Sequence, residues 1–138
     1  MNLILFICIN ALMAVGLVTT YVYLKKLKNL IGYHLGMNIS MTISTVSALS
    51  LGPLWAFQFH HHSSWITMIV TLAAMTIGML FGALVDYQTV VTGISSGIMA
   101  GLMGPMIIMH SFDPIPLLCF TLFLFFFSLI MLCTSVKV

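Results

Sequence analysis

Charged residues are almost absent from this chain. Its 138 residues include four lysines, two aspartates, no arginine and no glutamate. A soluble domain is roughly one-quarter charged, so this sequence cannot provide a water-facing surface and is expected to lie within a bilayer. The net charge of +2, without a basic cluster among aromatic residues, also excludes the electrostatic footprint of a nucleic-acid-binding protein.

Two further absences exclude common kinds of active site. The three cysteines, Cys8, Cys119 and Cys133, all lie in apolar runs and form no CxxC pair, so neither a redox motif nor a thiolate zinc site is indicated. The sequence has no glycine-rich phosphate loop after a strand and no Ser-His-Asp pattern that can be placed. We therefore expect a protein that is not an enzyme.

Hydrophobic residues make up 62% of the chain, and the mean hydropathy is +1.22. They form five runs of roughly the 20-residue length that crosses a bilayer as a helix. This pattern predicts an all-α membrane protein, a bundle of about five transmembrane helices in one domain over residues 1–138, with the lipid bilayer as its surroundings. The predicted spans are 2–24, 31–57, 65–85, 89–110 and 117–135.

The lysines predict how these spans are oriented. Lys25, Lys26 and Lys28 follow the first span, and Lys137 follows the fifth. Lysines mark the cytoplasmic flank of membrane helices, and five spans place all four lysines on one side. We therefore expect the N-terminus outside and a multi-pass protein of the bacterial cytoplasmic membrane. A signal peptide carries its positive charge before its apolar core, so the first span is expected to be retained.

Two stripes of residues run along the fourth span. At about 100° per residue round a helix, four glycines share one face, which predicts close packing of this helix against a neighbour at the centre of the bundle. Three methionines and a histidine share a face on nearly the opposite side. The glycines are Gly93, Gly97, Gly101 and Gly104, and the second stripe is Met99, Met103, Met106 and His110.

Histidines are concentrated in the two predicted outer loops. One loop contains three consecutive histidines, and the other contains a histidine and an aspartate. Imidazole and carboxylate groups suit Cu(II), Zn(II) or Ni(II), whereas thioether sulfur selects Cu(I). The alternatives are a pH-sensing interfacial loop and methionines that fill gaps between helices. The candidate metal ligands are His60, His61, His62, His110, Asp113, Met99, Met103 and Met106.

A third group of polar residues lies near the predicted cytoplasmic ends of two spans. His34 and Asn38 share one face of the second span, and Asp86 follows the third span. Such a face is costly against lipid, so it is expected to point into the bundle or a wet cavity, where the three residues would form an intramembrane proton or cation gate. Alternatively, Asp86 caps the fourth helix, since it precedes Thr89 by three residues.

Two segments resemble a known family. LGMNISMTISTVSALSLG (35–52) and TGISSGIMAGLMGPM (92–106) are similar to small glycine- and methionine-rich bacterial membrane proteins found beside, or fused to, cupredoxin-like domains. The resemblance favours the copper interpretation over the others and assigns no role to any single residue. This chain departs from the family in having no cupredoxin domain and in having Gly104-Pro105 where the family has Gly-Gly.

Three functions are compatible with these patterns. The first is a membrane protein that handles copper, capturing the ion on outer histidines and holding it or passing it along the methionine stripes. The second is a non-catalytic accessory or scaffold subunit that packs against other membrane subunits, or against a second copy, through its glycine faces. The third is a small proton-coupled transporter or channel with a wet path through His34, Asn38 and Asp86.

Overall fold

The computed structural model describes residues 2–137, with the side chains of all of these except His62, Ser63 and Lys137. Five helices, and no strand, occur in this described part of the chain. Each helix is long and apolar enough to cross a membrane, which confirms the prediction of an all-helical chain with five such segments. The helices are α1 Leu3–Lys26, α2 Tyr33–Gln58, α3 Ser63–Gly82, α4 Tyr87–Met109 and α5 Pro114–Lys137.

The third and fourth spans are two separate antiparallel helices. α3 ends at Gly82, three residues before the predicted end of its span, and α4 begins at Tyr87. Asp86 has extended backbone angles, and its side chain accepts a hydrogen bond from the Tyr87 amide at 2.6 Å. An N-cap of this kind satisfies a backbone donor that the first helical turn leaves free. The structure therefore favours the capping interpretation of Asp86.

The helices alternate in direction, so the bundle has two distinct ends. We call one the histidine end, which contains residues 59–62 between α2 and α3 and residues 110–113 between α4 and α5. We call the other the lysine end, which contains residues 27–32 between α1 and α2 and residues 83–86 between α3 and α4. Both connections at the histidine end are short, so they lie directly above the helix ends.

The centre of the bundle is built from small residues where α2, α3 and α4 meet. A Cβ added to Gly93 would lie 2.5 Å from the Gly78 carbonyl oxygen, and one added to Gly101 would lie 2.6 Å from Thr71 Cα. One added to Gly97 would lie 2.9 Å from Ala74. The backbones of α3 and α4 are therefore in direct contact, as small-xxx-small packing allows. This places the glycine stripe of α4 on the inner face of the bundle.

Buried serines attach α2 to its neighbours. Helical serines commonly bond to a carbonyl of their own helix, but here three of them reach across. Ser40 Oγ lies 3.0 Å from the Gly78 carbonyl oxygen of α3 and 3.2 Å from that of Thr89 in α4. Ser44 Oγ donates to Ala74 at 3.0 Å, and Ser50 Oγ donates to Thr121 of α5 at 3.2 Å. These bonds fix the depth at which each helix lies against α2.

α1 packs more loosely than the other helices. The fraction of its residues that are buried is the smallest of the five, below that of α5. This is so although α5 is the more apolar of the two helices by mean hydropathy. Trp55 Nε1 donates to Asn10 Oδ1 at 2.9 Å, and the Phe6 and Trp55 rings meet edge to face with centroids 5.8 Å apart. These contacts hold α1 against α2 at the histidine end.

Candidate metal site at the histidine end

The two histidine-bearing loops lie at the same end of the bundle and at the same level. α2 and α4 run parallel, and a Cβ added to Gly52 would lie 2.8 Å from the Gly104 carbonyl carbon and 2.9 Å from Pro105 Cδ. From this contact, six further residues bring α2 to Gln58 and α4 to His110. The loops that follow the two helices therefore start side by side.

A cavity of about 320 Å³ lies between these loops. It brings His60 of the first loop together with Met109 at the end of α4 and Ser111 of the second loop. Met109 and Ser111 are the two chain neighbours of His110, whose own side chain does not line the cavity. The lining residues are Ala56, Phe57, His60, Ile108, Met109, Ser111 and Pro114.

The hydrogen bonds of His60 and His110 define which ring nitrogen is free. His60 Nδ1 lies 3.0 Å from the Ala56 carbonyl oxygen, and His110 Nδ1 lies 2.9 Å from that of Met106. A carbonyl oxygen only accepts, so Nδ1 carries the hydrogen in both rings, and the lone pair of a neutral ring lies on Nε2. Metal-binding histidines are commonly oriented by such a bond to a backbone carbonyl. Both rings therefore have the tautomer of an Nε2 ligand.

His61 and Asp113, two further residues of the outer loops, do not line the cavity. His61 and Asp113 are exposed, and the Asp113 backbone oxygen accepts a hydrogen bond from Ser111 Oγ at 3.1 Å. The side chain of His62 lies outside the described residues. Among the side chains that are described, no three from His, Cys, Asp and Glu lie close enough together to hold a metal ion. A site here therefore depends on thioether sulfur as well as imidazole.

The methionine stripe of α4 faces away from the bundle. Met99, Met103 and Met106 are 68%, 60% and 56% exposed, because the glycines on the opposite side of α4 occupy its inner face. Met41, Met68 and Met79 of α2 and α3 are exposed as well. Within one chain, these side chains do not line an internal path, contrary to the expectation of an ion passing along them through the bundle.

The predicted polar gate is not assembled. His34 and Asn38 are exposed on the surface of the chain instead of pointing into the bundle. Within the described residues, neither of them forms a hydrogen bond or ion pair with Asp86. Ser40 is level with Thr89 near the start of α4, so His34 and Asn38 lie close to the lysine end. In a bundle that spans a bilayer, this end would meet water and lipid headgroups, which would remove the expected cost of exposing polar side chains.

The three central helices meet in close backbone contact at their glycines. Gly78 meets Gly93 backbone to backbone, and Ala48, Ala74 and Ala100 form a cluster of buried side chains near the middle of the bundle. In this described core, the contacts are too close even for an added methyl group.

Met109 is the site residue that the sequence analysis missed. It follows Met106 by three residues and precedes His110, so methionine spacing alone could have included it. The angular pattern instead drew attention to His110, since that residue continues the stripe of Met99, Met103 and Met106. Only the packing of α4 against α2 shows that Met109, the residue before His110, lines the cavity.

No protein-family model, curated protein or solved structure matches the chain. The resemblance of residues 35–52 and 92–106 to cupredoxin-associated membrane proteins therefore remains a hypothesis, and the site is interpreted from its own geometry.

Proposed function

We propose that this chain is a multi-pass protein of the bacterial cytoplasmic membrane that binds copper(I) at its histidine end. The observation that supports the proposal is the cavity shared by His60 and Met109, together with the hydrogen bond that leaves His60 Nε2 free. Imidazole and thioether are ligands that copper(I) accepts. The proposal gives the chain a binding role and no reaction.

The ligand set favours copper over zinc. Structural zinc sites use four imidazole, thiolate or carboxylate ligands, whereas the residues that line this cavity include one histidine and one methionine. His61 and His110 lie in the same two loops and are the candidates to complete the coordination. A thioether contributes little to zinc binding and selects the softer ion.

The site is proposed to hold the ion at the membrane surface instead of passing it across the bundle. The closed core between α2, α3 and α4 and the outward methionines of α4 both support holding over passage. The lysines at the opposite end favour a cytoplasmic lysine end, which would place the copper site on the outer face. Copper would then be captured outside the cell.

Copper retention by purified variants tests this proposal. Wild-type protein, His60→Ala, Met109→Leu and the double variant would be loaded with copper(I) and titrated with a competing chelator. Losing one ligand should weaken binding by about tenfold or more, or about 1.4 kcal/mol. His34→Ala and Met79→Leu are matched controls, because they change an exposed histidine and an exposed methionine that lie near the lysine end, away from the cavity.

Two outcomes would contradict the copper proposal. In the first, wild-type protein retains no more copper than the double variant. In the second, the control variants lose as much copper as the cavity variants, which would show binding spread over the surface. Equal affinity for zinc and copper(I) in wild-type protein would contradict the role of Met109.

An accessory subunit is the second candidate function. The observation that favours it is the exposed face of α4 with Met99, Met103 and Met106, since methionine-rich surfaces adapt to different partners. Another membrane subunit packed there would also cover the thioethers. Cross-linking from Met103→Cys in native membranes, with Val18→Cys on the exposed side of α1 as the control, tests this alternative. A partner cross-linked equally from both positions would contradict it.

A further inference from the structure

A second cavity, of about 280 Å³, lies between α1, α2 and α5 near the histidine end. Its lining is apolar apart from the thiol of Cys119, and no charged group lies in it. Two of its residues, Leu5 and Ile115, are more than half exposed, so the cavity opens toward the outside of the bundle. It is lined by Leu5, Ile9, Leu54, Phe57, Ile115, Leu118, Cys119 and Leu122.

A cavity of this size and polarity is suited to hydrocarbon. Protein interiors have few voids larger than a water molecule, and water does not fill a void that offers it no polar partners. All the lining residues belong to helices long and apolar enough to span a membrane. An acyl chain of the surrounding bilayer is therefore the group that this cavity would take up.

The position of the cavity beside the first one indicates the rest of the ligand. Phe57 lines both cavities, and the consecutive residues Pro114 and Ile115 line one each. The cavity with His60 and Ser111 lies at the very end of the bundle, and the apolar cavity reaches deeper, to Leu122. Polar groups outside and apolar groups inside match the orientation of an amphiphile in one leaflet of a bilayer.

From this arrangement we infer a binding site for one membrane phospholipid. Its acyl chain occupies the apolar cavity, and its glycerol and headgroup lie beside Phe57 at the mouth of the His60 cavity. The inference rests on the proposed membrane location and not on copper binding. The bound chain fills the gap between α1 and α5 at the histidine end, where α1 is otherwise held by Asn10 and Phe6 against Trp55.

Native mass spectrometry of the protein released from bilayers of phosphatidylethanolamine and phosphatidylglycerol tests this site. Wild-type protein should retain one phospholipid per chain. Leu118→Trp, which fills the cavity, should lose it, whereas Ile130→Trp on the exposed side of α5 should retain it. Wild-type protein without phospholipid, or Leu118→Trp with as much as wild type, would overturn the inference.

The reactivity of Cys119 provides a second measurement that needs no cavity-filling variant. In a Cys8→Ser, Cys133→Ser background, the phospholipid should slow alkylation of Cys119 about tenfold relative to delipidated protein, since a covered thiol is inaccessible to reagent. An unchanged rate would contradict the inference, as would equal protection by detergent alone. Leu118→Trp should still bind copper. Because lipid and copper are measured separately, loss of lipid with copper retained, or loss of copper with lipid retained, shows which of the two proposals has failed.

Discussion

Adding a single methyl group at Gly93 should separate the central helices. The Cβ of Gly93→Ala would lie 2.5 Å from the Gly78 carbonyl oxygen and 2.8 Å from the Gly78 carbonyl carbon, and Ser40 Oγ would be closer still. Real Cβ contacts below 3.0 Å essentially do not occur. The Gly78 atoms in the way belong to the backbone of α3 and cannot rotate aside. The two helices must therefore move apart by about 1 Å to restore ordinary contact.

That movement also affects the hydrogen bonds of Ser40. Its hydroxyl now lies 3.0 Å from the Gly78 oxygen in α3 and 3.2 Å from the Thr89 oxygen in α4, and once these two helices separate it cannot keep both bonds. Overpacking costs about 1–3 kcal/mol, and a lost bond between membrane helices costs about 0.6 kcal/mol. Alanine favours a helix over glycine by about 1 kcal/mol, so we expect Gly93→Ala to lower the free energy of unfolding by a net amount of about 1–3 kcal/mol.

The measurement is unfolding in mixed micelles, followed by circular dichroism as the denaturing detergent increases. Gly16→Ala is the matched control, because its added Cβ would meet only side-chain atoms of Leu129, Phe126 and Phe125, at 3.4, 3.5 and 3.8 Å, in ordinary contact. Alanine favours a helix over glycine by about 1 kcal/mol, so Gly16→Ala should be neutral or stabilising. If the two variants unfold alike, the glycine face of α4 does not hold the bundle together. Gly97→Leu should prevent assembly altogether.

The other predictions concern bonds, caps and topology. Ser44→Ala should cost about 0.6–1.7 kcal/mol by removing the bond to Ala74, measured by the same unfolding; no change would show that this bond contributes nothing. Asp86→Ala should lower the free energy of unfolding by about 1 kcal/mol, and Asp86→Asn should lower it far less, because asparagine caps a helix equally well. If Asp86 instead formed a proton or cation gate, both variants would lose that function. A thiol reagent that cannot cross membranes should label Ser63→Cys and not Lys26→Cys in intact cells; labelling at position 26 would reverse the proposed orientation.

The sequence was sufficient to predict the five helices, because helix length and apolar composition are local properties. Spacing also placed Gly93, Gly97 and Gly101 on one face, since the angle between residues depends on helix geometry alone. The helix starts were less accurate, and α4 began two residues before the predicted position because Asp86 capped Tyr87 directly.

What the sequence could not provide was the register between helices. The polarity of His34 and Asn38 suggested that they point inward, but the face of α2 that meets α3 is the one with Ser40 and Ser44. Met109 was missed for the same reason, because its place beside His60 depends on how α4 lies against α2. Periodicity gives the faces of one helix, whereas the neighbour that meets each face is a property of the whole bundle.

The serine contacts of α2 have a consequence for biosynthesis. α2 leaves the ribosome before α3 and α4, which supply the carbonyl oxygens for Ser40 and Ser44. At about 5–20 residues per second, several seconds pass before residue 109 is made. During that interval α1 touches α2 mainly near Trp55, so the two hydroxyls must bond back to their own helix. Assembly then requires each serine to exchange its bond for one across the interface when the α3–α4 hairpin arrives.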